Sequence, residues 1–213
     1  RDWGGIYAGS GATLSLDYAT VAYAGGVTKI EGTFKAFNPI EIQQADARIT
    51  NSTFEFNEDG IGGQGPRHRL GRLDNRAATI FVRGAQPILI GNTFRSNQGS
   101  AINIDANSIN ADLLPDMGRS TGAVDRQSQF DSNRGPLVRE NRLDNNEING
   151  MEVRGDLLMV ESVWDDTDIV HVLFNSITVT NLHHEGGLRL QSAPDESLVV
   201  KLLGYGTNFD DYG

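Results

Sequence analysis

Two stretches forty residues apart carry nearly the same phrase, "ITNSTFEFNEDGI" (49–61) and "ILIGNTFRSNQGSAI" (88–102). Each runs through a short apolar strand, a polar pair, Thr-Phe, two variable residues, Asn, and then Gly with another apolar residue. A chain that repeats one phrase builds like units, each burying its apolar face on its neighbours. The repeat therefore constrains the fold more tightly than any other feature.

The strand before the phrase recurs as "PIEIQQA" (39–45), "TIFVRGA" (79–85), "AINIDAN" (101–107) and "GMEVRGD" (150–156), with a poorer copy in "GGIYAGS" (4–10). Apolar residues alternate in each, as in Ile40/Ile42, Ile80/Val82, Ile102/Ile104 and Met151/Val153. That period of two sends one set of side chains inward and the other outward. The shortest interval, Ile80 to Ile102, is 22 residues, and the others are 34, 40 and 49. A unit so short excludes a propeller blade of roughly 40 residues, and the lack of any 3.6-period stretch argues against a leucine-rich repeat. One turn of a parallel β-helix fits. The longer intervals become insertions at coil corners, near 63–76 and 108–134, which cost little closure entropy.

This packing assigns roles within the phrase. Phe54 and Phe94 should lie one coil apart, about 4.8 Å along the stack, and stack on each other. Asn57, Asn97 and Asn146 fall at one turn, where Asn suits left-handed backbone and can form an amide ladder. The 25 glycines among 213 residues, above the usual share of roughly 7 %, fit a chain full of turns.

With these residues in place, the coils resemble the right-handed parallel β-helices of the pectate-lyase-like superfold. The opening "WGGI…LDYATVAYAGG" (3–26) resembles coil openings of large bacterial secreted and surface proteins. The resemblance covers roughly residues 1–165. It implies an all-β, right-handed, single-stranded parallel β-helix with corner insertions and a C-terminal β cap. The block "WDDTDIVHVL…LRLQSAPDESLVVKL" is similar to segments that follow such coils in very large extracellular proteins, so 166–213 reads as that cap or the start of a following domain. The chain begins as if inside a strand, with neither Met nor a signal peptide, and ends in a linker-like Gly-rich tail, so it is expected to be a fragment with flanking domains.

The superfold hosts lyases, hydrolases, adhesins and passive spacers, so function must be sought in the residues. A net charge of −10 argues against nucleic acid. No apolar run approaches the ~18 residues of a membrane span, and without cysteine there is no disulfide or thiolate metal site. The outward strand positions are Glu41/Gln43, Phe81/Arg83, Asn103/Asp105 and Glu152/Arg154. They form a surface charge ladder or, alternatively, a glycan groove with Tyr7 and Phe81 as stacking platforms, Arg83 and Asn103 as polar contacts, and Glu41, Glu152 or Asp105 as acid and base. Glu41 and Glu152 would be two intervening coils apart, too far for paired glycosidase carboxylates. In "PRHRLGR" (66–72), Arg67 and Arg69 either clamp an anionic polysaccharide or pair with the acidic body. Asp165, Asp166 and Asp168 in "WDDTD" make either a calcium cluster or a solvated turn.

His171, His183 and His184 lack zinc spacing. "GIGGQG" (60–65) precedes no helix that would hold phosphate, and "NST" (51–53) serves the repeat. The spaced Asp, His-Gly and Arg-x-Lys pattern of polygalacturonases and the Asp, Lys and Arg clusters of pectate lyases do not occur. The sequence thus points to a non-catalytic extracellular or cell-surface module, a stalk, adhesin or carbohydrate-binding platform without a cofactor other than calcium. A polysaccharide lyase or glycoside hydrolase is the alternative.

Overall fold

A computed structural model describes residues 3–26, 38–58, 77–119, 124–155, 157–180 and 186–203. It is all-β, with almost no helix and with long parallel sheets. Strands β1 (Ile6–Ala8), β2 (Thr13–Asp17) and β3 (Thr20–Ala22) each begin a different sheet. Strands β4 (Ile40–Gln43), β5 (Asp46–Thr50) and β6 (Thr53–Glu55) lie beside them in the same order, each parallel to its counterpart. A third set follows with β7 (Ala78–Arg83), β8 (Ile88–Ile90) and β9 (Thr93–Arg95), and a fourth with β10 (Ser100–Asp105), β11 (Leu137–Arg139) and β12 (Arg142–Asp144). Each set of three is one rung.

The expected register is present. Ile40 pairs with Ile80, Ile80 with Ile102, and Ile102 with Met151 of β13 (Ile148–Arg154). All four side chains are fully buried in one core cluster. Such a side chain contributes about 1.5–3 kcal/mol by leaving water. Phe54 and Phe94, in register on β6 and β9, stack with ring centroids 5.0 Å apart and planes 10° from parallel.

The Asn ladder also forms. Asn57 Nδ2 donates to Asn97 Oδ1 at 2.9 Å, Asn97 Nδ2 to Asn146 Oδ1 at 2.8 Å, and Asn146 Nδ2 to Asn149 Oδ1 at 2.8 Å. Each of these Nδ2 groups also donates to a backbone carbonyl of the preceding rung, namely that of Val21, Phe54 and Phe94. The left-handed backbone is not at the ladder Asn, however. It falls on the residue before: Phe56, Ser96 and Asn145 have φ of 53°, 53° and 52°. The corner bends one residue early, leaving the Asn side chain free to point along the stack. A second ladder occupies the neighbouring corner, where Ser52 N–H donates to Asn92 Oδ1 and Asn92 Nδ2 to Asn141 Oδ1, both at 3.0 Å. There too the preceding residues Asn51, Gly91 and Glu140 have positive φ. Rungs approach so closely that a Cβ on Gly25 would lie 2.2 Å from Glu58 O.

Beyond residue 165 the chain does not leave the stack. Strands β15 (His171–Leu173) and β17 (Val200–Leu202) extend the first sheet to seven strands, β1-β4-β7-β10-β13-β15-β17. Strand β14 (Glu161–Trp164) pairs in parallel with β16 (Gly187–Leu190). The main sheet thus runs on into the segment expected as a cap or following domain. Period two survives in these strands, but the Thr-Phe-Asn phrase that marks earlier rungs is gone. Among the described residues no helix is long and apolar enough to cross a membrane. The insertion near 63–76, with Arg67 and Arg69, lies outside the described residues, as do His183, His184 and the "GIGGQG" stretch.

Candidate functional site

Four regions present chemistry. The first is the outer face of the seven-stranded sheet, where Tyr7, Glu41, Phe81, Asn103 and Glu152 stand in one register column. Only Tyr7, at the edge, is exposed. Glu41, Phe81 and Asn103 are fully buried and Glu152 is 4 % exposed. Phe81, expected as a sugar platform, and Asn103, expected as a ligand contact, are thus placed out of reach of solvent. The Arg154 guanidinium lies 4.2 Å from the Phe81 ring centroid, a cation–π contact that occupies a ring face. Arg154 also donates to Asn103 Oδ1 and, at 2.7 Å, to Val82 O.

Arg83, Asp105 and Arg154 form the adjacent column, with Arg154 Nη2 3.4 Å from Asp105 Oδ1. Asp105 further accepts from Gly84 N–H at 2.9 Å and Ser108 Oγ at 2.7 Å, so it braces a corner. Two strands separate Glu41 from Glu152, as the sequence register requires.

The second region is the Asp cluster. Strand β11 ends its sheet, so its outer amides face no further strand. Asp165 Oδ2 accepts from Arg134 N–H at 3.0 Å, Asp166 Oδ1 from Val138 N–H at 3.0 Å, and Asp168 Oδ2 from Glu140 N–H. Asp166 and Asp168 meet the amides of 138 and 140 with the same two-residue spacing. The carboxylates stand in for the carbonyls of a missing strand, blunting a sheet edge. Arg139 Nη1 lies 3.5 Å from Asp166 and 3.6 Å from Asp168, so a guanidinium supplies the local positive charge. Among the described residues no group of three or more His, Asp or Glu side chains is placed to hold a metal ion. These acids carry a structural task at the edge of β11. Burial pushes the Asp166 carboxyl well above its usual range. Arg139 opposes that shift, and Asp165 and Asp168 add to it.

Directly beside this cap sits a histidine the sequence left unassigned. His171 continues the inward column of Ile102 and Met151, is fully buried, and stacks on Trp164 at 5.2 Å with planes 10° apart. Burial, helped by Arg139, pulls its pKa down to about 4. As pH falls from 6.5 toward 4, the unfolded chain takes up a proton that the native imidazole refuses, so stability drops. The raised carboxyls work oppositely, contributing most at low pH and losing it as pH rises through their folded values. Comparison with His171→Leu isolates the imidazole. Between pH 7 and 4.5, the native chain should lose about 2–3 kcal/mol relative to the variant in urea titrations. A constant difference across that range would contradict a neutral buried His171.

The third region involves the 108–134 insertion. Leu114 and Phe130 pack on Ile88, Ile90 and Leu137, making a second apolar cluster on the outer face of β8 and β11. Arg48 on β5 latches the segment. Its Nε and Nη2 lie 2.9 and 3.2 Å from the two Asp116 oxygens, Nη2 reaches Asp125 O at 3.0 Å, and Nη1 reaches Thr50 Oγ1 at 3.0 Å. Burial raises the Asp116 pKa, but hydrogen bonds from Arg48 and from the Gly118 and Gln127 amides outweigh it and hold the carboxyl below its usual value. Sequence reasoning missed this pair because Arg48 and Asp116 are 68 residues apart in the chain and no repeat fixes the path of the insertion. The fourth region is a polar cleft of about 290 Å3 on the outer face of β6, β9 and β12, lined by Thr53, Thr93, Arg95, Arg142 and Asp144.

Compared with known proteins, the chain matches no family model, no curated protein and no solved structure.

Proposed function

We propose that the chain is a right-handed parallel β-helix serving as a non-catalytic module of an extracellular or cell-surface protein, a stalk or adhesin-like platform that holds glycan. Parallel strands joined in the same sheet strongly favour right-handed crossovers, and an acidic chain without cysteine suits such a setting. The observation that carries the reading is the state of the seven-stranded sheet's outer face. The carboxylates of Glu41 and Glu152, which a hydrolase would turn toward its substrate, are buried. With three strand spacings between them they stand about 14 Å apart, beyond the roughly 5–9.5 Å of paired glycosidase acids. The polar cleft at Thr53, Thr93 and Arg142 is open, and its hydroxyl, guanidinium and carboxylate groups suit sugar hydroxyls.

The test is incubation with neutral and acidic polysaccharides from pH 5 to 9, with and without calcium. Expected are binding to at least one polysaccharide, weakened by Arg142→Ala, and neither unsaturated product at 235 nm nor new reducing ends. Turnover of any polysaccharide would replace this reading with the lyase or hydrolase alternative.

A further inference from the structure

The 108–134 insertion does more than cover apolar surface. Between its 114–119 segment and the outer faces of β2, β5 and β8 lies a cavity of about 630 Å3. That is within the roughly 300–1,000 Å3 of small-molecule sites. It is separate from both the seven-stranded sheet's outer face and the polar cleft, and nothing in the glycan reading uses it.

Its walls are largely aliphatic, with Ile88 below and Leu114, Pro115 and Met117 above. Its cations are already neutralised. Arg48 is held by Asp116, and Arg119 pairs with Asp17 and, at 2.8 Å, with Asp125. The carboxylate of Asp46 differs. It lines the cavity from the exposed first position of β5, and among the described residues no ion pair or side-chain hydrogen bond engages it. An anionic ligand would meet Asp46 and find no free guanidinium. An apolar body carrying a positive group would satisfy both features.

We propose that this cavity binds a small apolar cation, an aryl- or alkylammonium compound. Its hydrocarbon lies against Ile88, Leu114 and Met117 and its ammonium against Asp46. The hydroxyls of Thr13 and Ser15, which also line the cavity, accept from the remaining ammonium hydrogens.

Two probes of matched shape and opposite charge test this, 4-phenylbutylamine and 4-phenylbutyrate, titrated into the whole chain and followed by NMR shift changes. The amine should bind saturably and about two- to fivefold more tightly than the acid, the range expected of a partly exposed ion pair. Asp46→Asn, at an exposed position, should remove that preference while leaving binding of the amine measurable. Ser15→Trp should fill the cavity and abolish binding of both probes, and an unchanged melting temperature shows that the fold persists. If Ser15→Trp melts early, Asp46→Asn decides alone. Absence of saturable amine binding overturns the proposal. So does equal or tighter binding of the acid, or an amine preference that survives Asp46→Asn.

Discussion

Phe94→Ala should lower the unfolding free energy by about 3–5 kcal/mol in a denaturant titration. Phe94 is fully buried, it stacks on Phe54 at 5.0 Å, and it pairs in register with Leu143 on the other side. Truncation removes the transfer free energy of the ring and leaves a cavity that rungs above and below cannot close. Their spacing is fixed by backbone hydrogen bonds at about 4.8 Å. Phe94→Leu, which keeps most of the volume, should cost markedly less. A loss below about 1 kcal/mol for Phe94→Ala would mean that the rungs do not share an interior.

That a single residue can be singled out this way reflects what the sequence makes legible. Inward positions are written by period two and by repetition, so the column Ile40, Ile80, Ile102 and Met151 and the Phe54–Phe94 pair can be read directly. Outward positions are written less clearly. Phe81, Asn103 and Glu152 stand where an isolated sheet would meet water, yet they are buried. Local alternation gives a side chain's face but not what lies over that face. The same gap hid Arg48, whose partner Asp116 comes from an insertion with no repeat to fix its path.

The C-terminal rungs are written differently. There the role of a strand is taken by side chains: Asp166 and Asp168 accept from amides along and just after β11, and Asp165 from that of Arg134 before it. A run of acids looks the same in sequence whether it binds calcium or caps a sheet. What separates the two is the direction of each oxygen. Here one oxygen of each carboxylate is turned to a backbone amide, and Arg139 lies between Asp166 and Asp168. With Asp166 buried and raised in pKa, this end of the stack should be the part most sensitive to pH, as the His171 comparison measures.

The second large effect is expected at Asn97→Ala, about 3–5 kcal/mol, although far fewer atoms are removed than in a ring deletion. Asn97 is 3 % exposed and its side chain makes four hydrogen bonds. Oδ1 accepts from Asn57 N–H at 3.1 Å and Asn57 Nδ2 at 2.9 Å, while Nδ2 donates to Phe54 O at 2.9 Å and Asn146 Oδ1 at 2.8 Å. Alanine leaves the Asn57 amide, one hydrogen of Asn57 Nδ2 and a Phe54 carbonyl lone pair without partners in a place water does not reach. Each such buried group costs about 1–3 kcal/mol. Asn97→Asp discriminates this account from simple loss of volume. It keeps the shape and the acceptor but removes both donors and buries a charge against Asn146 Oδ1, so it should destabilise at neutral pH at least as much as alanine. If aspartate proves nearly neutral there, the amide chain from Asn57 to Asn149 is not what ties one rung to the next.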